Sequence, residues 1–189
     1  MRVAVVVHVE LPAVEDRIRA LHVGDEVRLS GRLVTGREAA HQHLARADDP
    51  RARALLAGRV LYHCSPVVVS DPGTRAWRVV AAGPTDSSRV ERWTPEVLAR
   101  HGVRGLLGKG GMGPATAAAL REHGAVYLHA PASLAVTLAR SVVKVHGVHL
   151  LDELGVAEAI WDLEVRELPA IVTMDAHGES LHATLTPAG

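Results

Sequence analysis

The sequence predicts a mixed α/β fold in which a parallel βαβ core is flanked by antiparallel hairpins. Between Gly105 and Leu150, short apolar strands alternate with helical segments, which is the signature of parallel βαβ units. Earlier in the chain, the turn residues Ser70-Asp71-Pro72-Gly73 separate two apolar runs and predict a hairpin. With 189 residues, 48% of them hydrophobic and 22% charged, the chain has the length and composition of one domain, predicted to span residues 1–189.

Two strands and two helices are predicted in the first third of the chain: a strand at Val3–Val9, a helix at Pro12–Leu21, a strand at Val27–Val34 and a helix from Gly36 to about Ala47. Apolar and polar residues of the second strand alternate around Gly31, which predicts a bulge or a sharp bend there. Thr35 is expected to cap the second helix, and Asp48-Asp49-Pro50 is expected to end it.

The remaining elements follow from the same patterns. The predicted hairpin joins Val60–Ser65 to Ala76–Ala82. The βαβ region divides into helices at Pro95–His101, Pro114–His123 and Ser133–Arg140 and strands at Gly105–Leu107, Ala125–His129 and Val142–Leu150. Antiparallel strands close the chain, at Ala159–Val165, at Ala170–Met174 and in a last short strand after Asp175-Ala176-His177-Gly178.

Composition excludes several classes of function. Lys plus Arg (21) equals Asp plus Glu (21), so no long-range positive field is expected to attract nucleic acid or an anionic membrane. The apolar run Val3–Val7 ends at His8 and is too short for a signal peptide or a membrane span. Cys64 is the only cysteine, so neither an intrachain disulfide nor a cluster built from this chain's thiols is expected, and an intracellular, cytoplasmic location is favoured.

Three polar phrases lie where predicted elements meet, which is the usual position of binding loops. The first, Thr35–His41, enters a helix, where free N–H groups, the helix dipole and Arg37 favour a carboxylate. The second, Gly83–Arg89, carries three hydroxyls, a carboxylate and an arginine in one tight turn, more than a solvated loop needs. For both phrases the alternative is a capped helix with a surface arginine.

The third phrase, Gly108–Gly113, joins a strand to a helix start and contains Lys109. It is similar to a P-loop, but Val103 stands at the position of the first glycine and Gly110 replaces the Ser or Thr that binds magnesium. Its glycines fit the pattern G-x-G-x-x-G, yet no Asp or Glu follows between residues 125 and 151 to bind a ribose. The phrase is therefore better suited to a small anion than to a nucleotide.

Histidine spacing does not predict a metal site in this chain. His41 and His43 do not share a helix face, and His146 and His149 lie in a run of valines typical of a strand. Cys64 is expected to be a small buried apolar residue.

Together and in this order, the three phrases resemble the C-terminal domain or β subunit of the iron-sulfur (class I) fumarases and L-tartrate dehydratases. Thr35–His41 matches the family phrase Thr-(Ala/Gly)-Arg-Asp-Ala-Ala-His, with Glu38 in place of Asp. Gly83–Arg89 matches Gly-Pro-Thr-Thr-x-x-Arg, and Gly108–Gly110 matches Gly-Lys-Gly. The similarity extends from about Leu21 to His182.

The resemblance implies a swivelling β/β/α domain and a hydro-lyase that reversibly hydrates a small unsaturated dicarboxylate. Hydration of fumarate to malate, a step of the tricarboxylic acid cycle, is the expected reaction. The family's 4Fe–4S cluster binds substrate at one open iron, and its cysteines come from the other domain or subunit. This chain would bind no cofactor itself and would be inactive without a cysteine-rich α subunit. A second copy of the chain is also considered as a partner, whereas nucleic acid and membranes are not.

By the same resemblance, Arg37, Arg89 and Lys109 hold the dicarboxylate in one pocket. Lys109 is also a catalytic candidate, together with Thr85, which matches a threonine near the proton-transfer step. His41 and Asp86 complete the set of candidate residues.

Asp86 departs from the family phrase, which has a second threonine at this position. It could pair with an arginine, accept a proton, or indicate a substrate other than fumarate. Three cations would face two substrate carboxylates, so one more anion in the pocket would cancel the surplus charge. We therefore expect Asp86 to turn away from the substrate and to cap a helix that starts near Ser87.

Two other functions compete with the hydro-lyase. One is a phosphate- or nucleotide-binding α/β module that uses the glycine-rich loop 108–113. The other is a structural subunit that has lost its chemistry.

Overall fold

The computed structural model describes residues 6–74 and 76–183. Within them the chain forms nine strands: β1 (Val6–Leu11), β2 (Glu26–Thr35), β3 (Val60–Tyr62), β4 (Val67–Ser70), β5 (Trp77–Ala81), β6 (Gly105–Gly108), β7 (Val126–His129), β8 (Val142–His149) and β9 (Ile160–Met174). The same residues form seven α-helices and one 3-10 helix: α1 (Glu15–Arg19), α2 (Glu38–Arg46), α3 (Pro50–Leu56), the 3-10 helix Ser87–Val90, α4 (Thr94–His101), α5 (Pro114–His123), α6 (Ala135–Ala139) and α7 (Leu151–Leu154).

Seven strands form one sheet in the order β1-β2-β3-β6-β7-β9-β8. The pairings from β1 through β7 are parallel, whereas β9 runs antiparallel to β7 and β8. β9 also pairs with β2, which closes β2, β3, β6, β7 and β9 into a ring. β4 and β5 form a separate antiparallel hairpin. The predicted α/β class, with a parallel core and antiparallel flanks, is confirmed.

The two faces of the strands pack into two separate hydrophobic cores. Side chains alternate between the faces of a strand, so Tyr62 joins one core and its neighbour Leu61 joins the other. The first core is formed largely by strands and includes the buried Trp161. The second core covers the opposite face with α2, α3, α4 and α5, where Leu44 and Leu98 are buried.

The predicted hairpin has the right turn but the wrong first strand. The strand that pairs with β5 is β4, which was not predicted, and their register runs from Val67–Ala81 to Ser70–Trp77. β3 is instead a central strand, parallel to β2 and β6. Its three residues are fully buried, as is usual for a parallel strand between two covered faces.

Of the two predictions for the ends of α2, the one for its start is wrong and the one for its end is confirmed. Thr35 does not cap α2, because its hydroxyl donates to the carbonyl of Ala159 and accepts from the backbone N–H of Trp161. α2 ends at Arg46, just before Asp48-Asp49-Pro50, as predicted. Asp49 and Pro50 also begin α3, which was not predicted: Asp49 accepts the N–H of Ala52 as an N-cap, and proline suits the first helical position.

The C-terminal region forms one long strand where two were predicted. β8 pairs with β9 between Ile160 and Val165, and β7 pairs with β9 between Ile171 and Met174. Pro169 lies between these two paired segments, where a missing N–H is tolerated. The predicted last strand is reduced, up to residue 183, to a single bridge between Ser180 and Met174. Later residues, and the part of the predicted first strand before Val6, lie outside the described residues.

The bend predicted in the second strand is confirmed, because the register between β2 and β9 shifts between Leu29 and Gly31. The predicted helices at Pro12–Leu21 and Ser133–Arg140 are shortened to Glu15–Arg19 and Ala135–Ala139. In the described part of the chain, no helix has both the length and the apolar character needed to cross a membrane.

Candidate active site

The candidate site is built at the carboxyl ends of three adjacent parallel strands. Thr35 of β2 is in register with Tyr62 of β3, which is in register with Leu107 of β6. In α/β folds with open sheets or closed barrels, ligands commonly bind beyond the carboxyl ends of the parallel strands. Arg37 follows β2 and Lys109 follows β6, so the topology brings two of the predicted phrases to one edge.

The carboxylate of Glu38 lies between the side chains of Arg37 and Arg89. Nε of Arg37 is 3.2 Å from Oε2 of Glu38, and Nη1 of Arg89 is 3.6 Å from its Oε1. Burial alone would raise the pKa of Glu38, but its own backbone N–H and the charges of Arg37 and Arg89 lower it overall. Two arginines from distant phrases therefore meet around one carboxylate.

A second carboxylate occupies the start of α2. Oε2 of Glu158 accepts the backbone N–H of Ala39 at 2.9 Å, and Oε1 lies 3.6 Å from Nε of Arg37. The helix start that was predicted to favour an anion thus binds a carboxylate of this chain. No local sequence signal connects Glu158 with α2, because the contact joins residues far apart in the chain.

Thr85 and Lys109 are neighbours through the backbone. The N–H of Thr85 donates to the carbonyl of His63 at 2.7 Å, and the N–H of Lys109 donates to the carbonyl of Thr85 at 3.2 Å. The hydroxyl of Thr85 also donates to the His63 carbonyl, at 3.0 Å. The second phrase is therefore held between the ends of β3 and β6.

Asp86 is the N-cap of the 3-10 helix Ser87–Val90, as predicted. Its Oδ1 accepts the backbone N–H of Ser88 at 3.0 Å and the Ser88 hydroxyl at 2.8 Å. These hydrogen bonds, followed by the charges of Arg89 and Lys109, lower the pKa of Asp86. An ionised Asp86 therefore lies within the electrostatic influence of two of the three candidate cations.

Three carboxylates of this chain lie among the three candidate cations at this edge, whereas the sequence prediction set those cations against the two carboxylates of the substrate. Three cations, Arg37, Arg89 and Lys109, accompany three carboxylates, those of Glu38, Asp86 and Glu158. The sequence prediction had counted only Asp86 among the anions.

His41 lies beneath this surface rather than on it. It is fully buried in α2, and its Nδ1 is 2.8 Å from the carbonyl oxygen of Arg37. Burial lowers the pKa of His41 to about 4, so the imidazole is neutral near pH 7. His41 can position Arg37, but it does not face the solvent.

The glycine-rich loop is not arranged as a phosphate cradle. Glu91 accepts the backbone N–H groups of Gly113 at 2.9 Å and of Thr116 at 3.2 Å, so its carboxylate caps the start of α5. A cavity of about 480 Å³ beside the loop is lined by Ser88, Glu91, the glycine-rich residues 110–113 and His182, and by none of the three candidate cations. The convergence of those cations on one pocket stays a prediction.

The residues present do not form an iron-sulfur site. Cys64 is buried, and burial raises the pKa of its thiol to about 12, whereas cluster ligation requires a thiolate. Among residues 6–74 and 76–183, no group of three or more His, Cys, Asp or Glu side chains is arranged to hold a metal ion.

Comparison with known proteins assigns this set of phrases to a family. The model of the family described as Fumarase C-terminus matches residues 2–185, nearly the whole chain. The chain belongs to the fumarase C-terminal family. The resemblance carried by Thr35–His41, Gly83–Arg89 and Gly108–Gly110 is thereby confirmed.

Relatives within the family are of two lengths. A Geobacillus stearothermophilus protein provisionally named a class I fumarate hydratase is 45% identical over 177 residues, which cover 94% of this chain but only 34% of that protein. The L(+)-tartrate dehydratase subunit beta of Escherichia coli is 36% identical over 173 residues, which cover 91% of this chain and 84% of that subunit. A Methanocaldococcus jannaschii protein provisionally named as the same subunit is 36% identical over 170 residues, 87% of this chain and 85% of that protein. The chain thus spans about a third of the first relative and most of the other two.

Sequence reasoning missed several residues at the site. Glu91, Glu158, His63 and Tyr127 were not among the candidates, and Ser87 was noted only as a hydroxyl of its phrase. The one usable signal was His63, a polar residue directly after the apolar strand Val60–Tyr62. The other contacts depend on long-range packing.

Proposed function

We propose that this chain is the β subunit of an iron-sulfur-dependent hydro-lyase that reversibly hydrates a small unsaturated dicarboxylate, with fumarate to malate as the reaction. The observation that carries the proposal is the meeting of Arg37 and Arg89 around the Glu38 carboxylate. Guanidinium groups from two distant phrases that converge on one carboxylate can bind a substrate carboxylate in the place of Glu38, since the guanidinium fork matches carboxylate geometry.

The chemistry assigns different tasks to the charged residues. Removing a proton from the carbon next to a substrate carboxylate adds negative charge to that carboxylate. Fixed cations such as Arg37, Arg89 and Lys109 stabilise this charge when water is excluded. Thr85 lies beside Lys109 and is the candidate for the proton-transfer position, although a free hydroxyl is a weak base and needs a neighbouring cation to act.

The balanced charge at the site supports a division of labour between two subunits. A substrate dianion added to three cations and three carboxylates leaves an excess of negative charge. We expect additional positive charge from an α subunit that carries the 4Fe–4S cluster. No site for that cluster is present in the described part of this chain, which is expected to be inactive alone.

The names of the relatives support two substrates. The relative with 45% identity is provisionally named for fumarate, whereas those with 36% identity are named for L(+)-tartrate. We propose fumarate on the higher identity. Parallel assays of fumarate hydration and tartrate dehydration on the same preparation decide between them.

Glu91 argues against the competing phosphate-binding function. Its carboxylate engages N–H groups at the start of α5 that a bound phosphate would need. Inorganic phosphate is therefore expected to leave the thermal unfolding temperature of the chain unchanged.

Co-purification tests the proposal. The chain, tagged and expressed anaerobically with its genomic neighbours, should purify as a brown, oxygen-sensitive complex with a second chain rich in cysteine. A colourless chain that purifies alone from cells producing such a neighbour would count against the two-subunit enzyme.

A further inference from the structure

A buried row of polar side chains lies behind the candidate active site. The Tyr127 hydroxyl donates to Oγ of Ser87 at 2.9 Å, and Nδ1 of His63 is 2.8 Å from the same oxygen. The backbone N–H of Gly111 donates to the Tyr127 hydroxyl at 3.3 Å. The next ring is that of His41, whose centroid is 4.9 Å from that of His63 in an edge-to-face arrangement.

This row touches all three functional phrases. His41 holds the carbonyl of Arg37 in the first phrase, and Ser87 belongs to the second. Tyr127 holds Gly111 in the third phrase. His63 stands at the centre, since its ring contacts Ser87 and its carbonyl accepts both the N–H and the hydroxyl of Thr85.

Hydrogen-bond partners fix the tautomer of His41 and lead to an assignment for His63. With Tyr127 as the donor to Ser87, the Ser87 hydroxyl can donate to Nδ1 of His63, and on this arrangement we assign the His63 proton to Nε2. His41 must carry its proton on Nδ1 to donate to the Arg37 carbonyl, which leaves its Nε2 as an acceptor. Nε2 of each ring is buried without a hydrogen-bond partner among the described residues. Nε2 of His63 is thus a donor, and Nε2 of the neighbouring His41 is an acceptor. A second proton on either ring would place an uncompensated charge in the core.

We propose that His63 is a positioning residue for the hydro-lyase reaction: in its neutral Nε2–H form it fixes Thr85, through Ser87 and its own carbonyl, against the Lys109 loop. The proposal rests on the proposed function for its kinetic consequence. It goes beyond that function because it assigns the relative placement of the three phrases to a buried histidine that does not touch the substrate. Misplacing a reacting group by a fraction of an ångström is enough to slow catalysis.

The first test reads the structure of the full chain directly. Two-bond proton–nitrogen correlation spectra should show His63 as the neutral Nε2–H tautomer and His41 as the neutral Nδ1–H tautomer at pH 7. Amide exchange at Thr85 and Lys109 should accelerate about tenfold or more in His63→Leu, because the hydrogen bonds that hold them would open more often. His63→Asn should keep exchange slow, because its side-chain oxygen can accept from Ser87 in place of Nδ1.

His101→Leu is the matched control. His101 is also a buried histidine with one hydrogen bond to a carbonyl, that of Leu44, but it lies in α4 away from the three phrases. The His101→Leu variant should leave amide exchange at Thr85 and Lys109 as in the parent. Tyr127→Phe removes a single hydroxyl and should accelerate exchange at Gly111, which provides a second test if His63→Leu does not fold.

The second test uses the enzyme reconstituted with its α subunit. His63→Leu should lower kcat about tenfold or more with KM within about threefold, and His63→Asn should recover most of kcat. A His63 proton on Nδ1, or Thr85 exchange and kcat equal to the parent in His63→Leu, would overturn the proposal. If the reconstituted parent is inactive, the proposed function fails, while the tautomer and exchange results still decide whether His63 positions Thr85.

Discussion

A side chain on Gly108 would overlap the hydroxyl oxygen of Ser87. The same added Cβ would lie 3.1 Å from Nδ1 of His63 and 3.3 Å from the Tyr127 hydroxyl. The sequence places Gly108 in a glycine-rich phrase that was expected to suit a small anion. The structure shows that it makes room for a buried hydroxyl cluster of this chain.

Gly108→Ala is therefore expected to destabilise the chain. Overpacking a closed site of this kind costs about 1–3 kcal/mol in the free energy of unfolding, which denaturant titration measures. Gly147→Ala is the control, since a Cβ at Gly147 meets no heavy atom within 4 Å. It should change the free energy of unfolding by less than about 0.5 kcal/mol. Equal stability of the two variants would contradict the packing described around Ser87.

Arg89→Lys tests the arginine pair at the site. Lysine keeps the charge but loses the bidentate fork, so kcat/KM of the reconstituted enzyme should fall about tenfold or more. Arg53→Lys is the matched control, because Arg53 is also an exposed arginine paired with one carboxylate, that of Asp48, on α3. Activity of Arg89→Lys equal to that of Arg53→Lys would remove Arg89 from the candidate site.

Asp86 is expected to act as a cap and not as a base. Asn and Thr can also cap, so Asp86→Asn and Asp86→Thr should change kcat by only a few-fold, whereas Asp86→Ala should cost about 1 kcal/mol in the free energy of unfolding. Steady-state kinetics and denaturant titration on the same three variants measure both effects. A several-hundredfold loss of kcat in Asp86→Asn would make Asp86 the catalytic base and remove that role from Thr85.

Stability should fall on acidification in a window set by the buried histidines. Burial lowers the pKa of His41 to about 4 and that of His63 well below 6.5, so the unfolded chain binds more protons than the folded chain between these values. The stabilisation is complete above pH 6.5 and is lost as the pH falls towards 4, by about 3 kcal/mol for His41 alone.

Asp86 does not account for this loss, because its pKa is lowered and it releases its proton below the same window. His41→Asn should flatten the dependence of the unfolding free energy on pH between 6.5 and 4. An unchanged slope in this variant would show that His41 is not held neutral by burial.

Elements with local signals could be predicted from the sequence, and those defined by distant partners could not. The alternation between Gly105 and His149 places α5, β6, β7 and β8 within a few residues of their observed bounds. The partner of β5 was mistaken, because Val60–Tyr62 and Val67–Ser70 are both short apolar runs and only long-range pairing separates a central strand from a hairpin strand. The closure of β9 onto β2 has no local signal for the same reason.

The residues of the candidate site also divide into those with a local sequence signal and those defined by distant partners. Arg37, Thr85, Arg89 and Lys109 could be proposed from the sequence because they lie in recognisable phrases. Glu158 was missed because only the fold brings it to α2. His63 was missed because its one signal, a polar residue after Val60–Tyr62, does not show that its ring would contact Ser87 and His41.

Anaerobic reconstitution tests directly whether this chain and a cysteine-rich α subunit together form the hydro-lyase. The purified chain is mixed with its cysteine-rich α subunit, iron and sulfide, and the loss of fumarate absorbance in the ultraviolet is followed against each subunit alone. We expect no turnover by this chain alone, because Cys64 is its only thiol and is buried, and we expect fumarate hydration by the pair. Hydratase activity of the isolated chain, or an iron-loaded pair that hydrates no dicarboxylate, would contradict it.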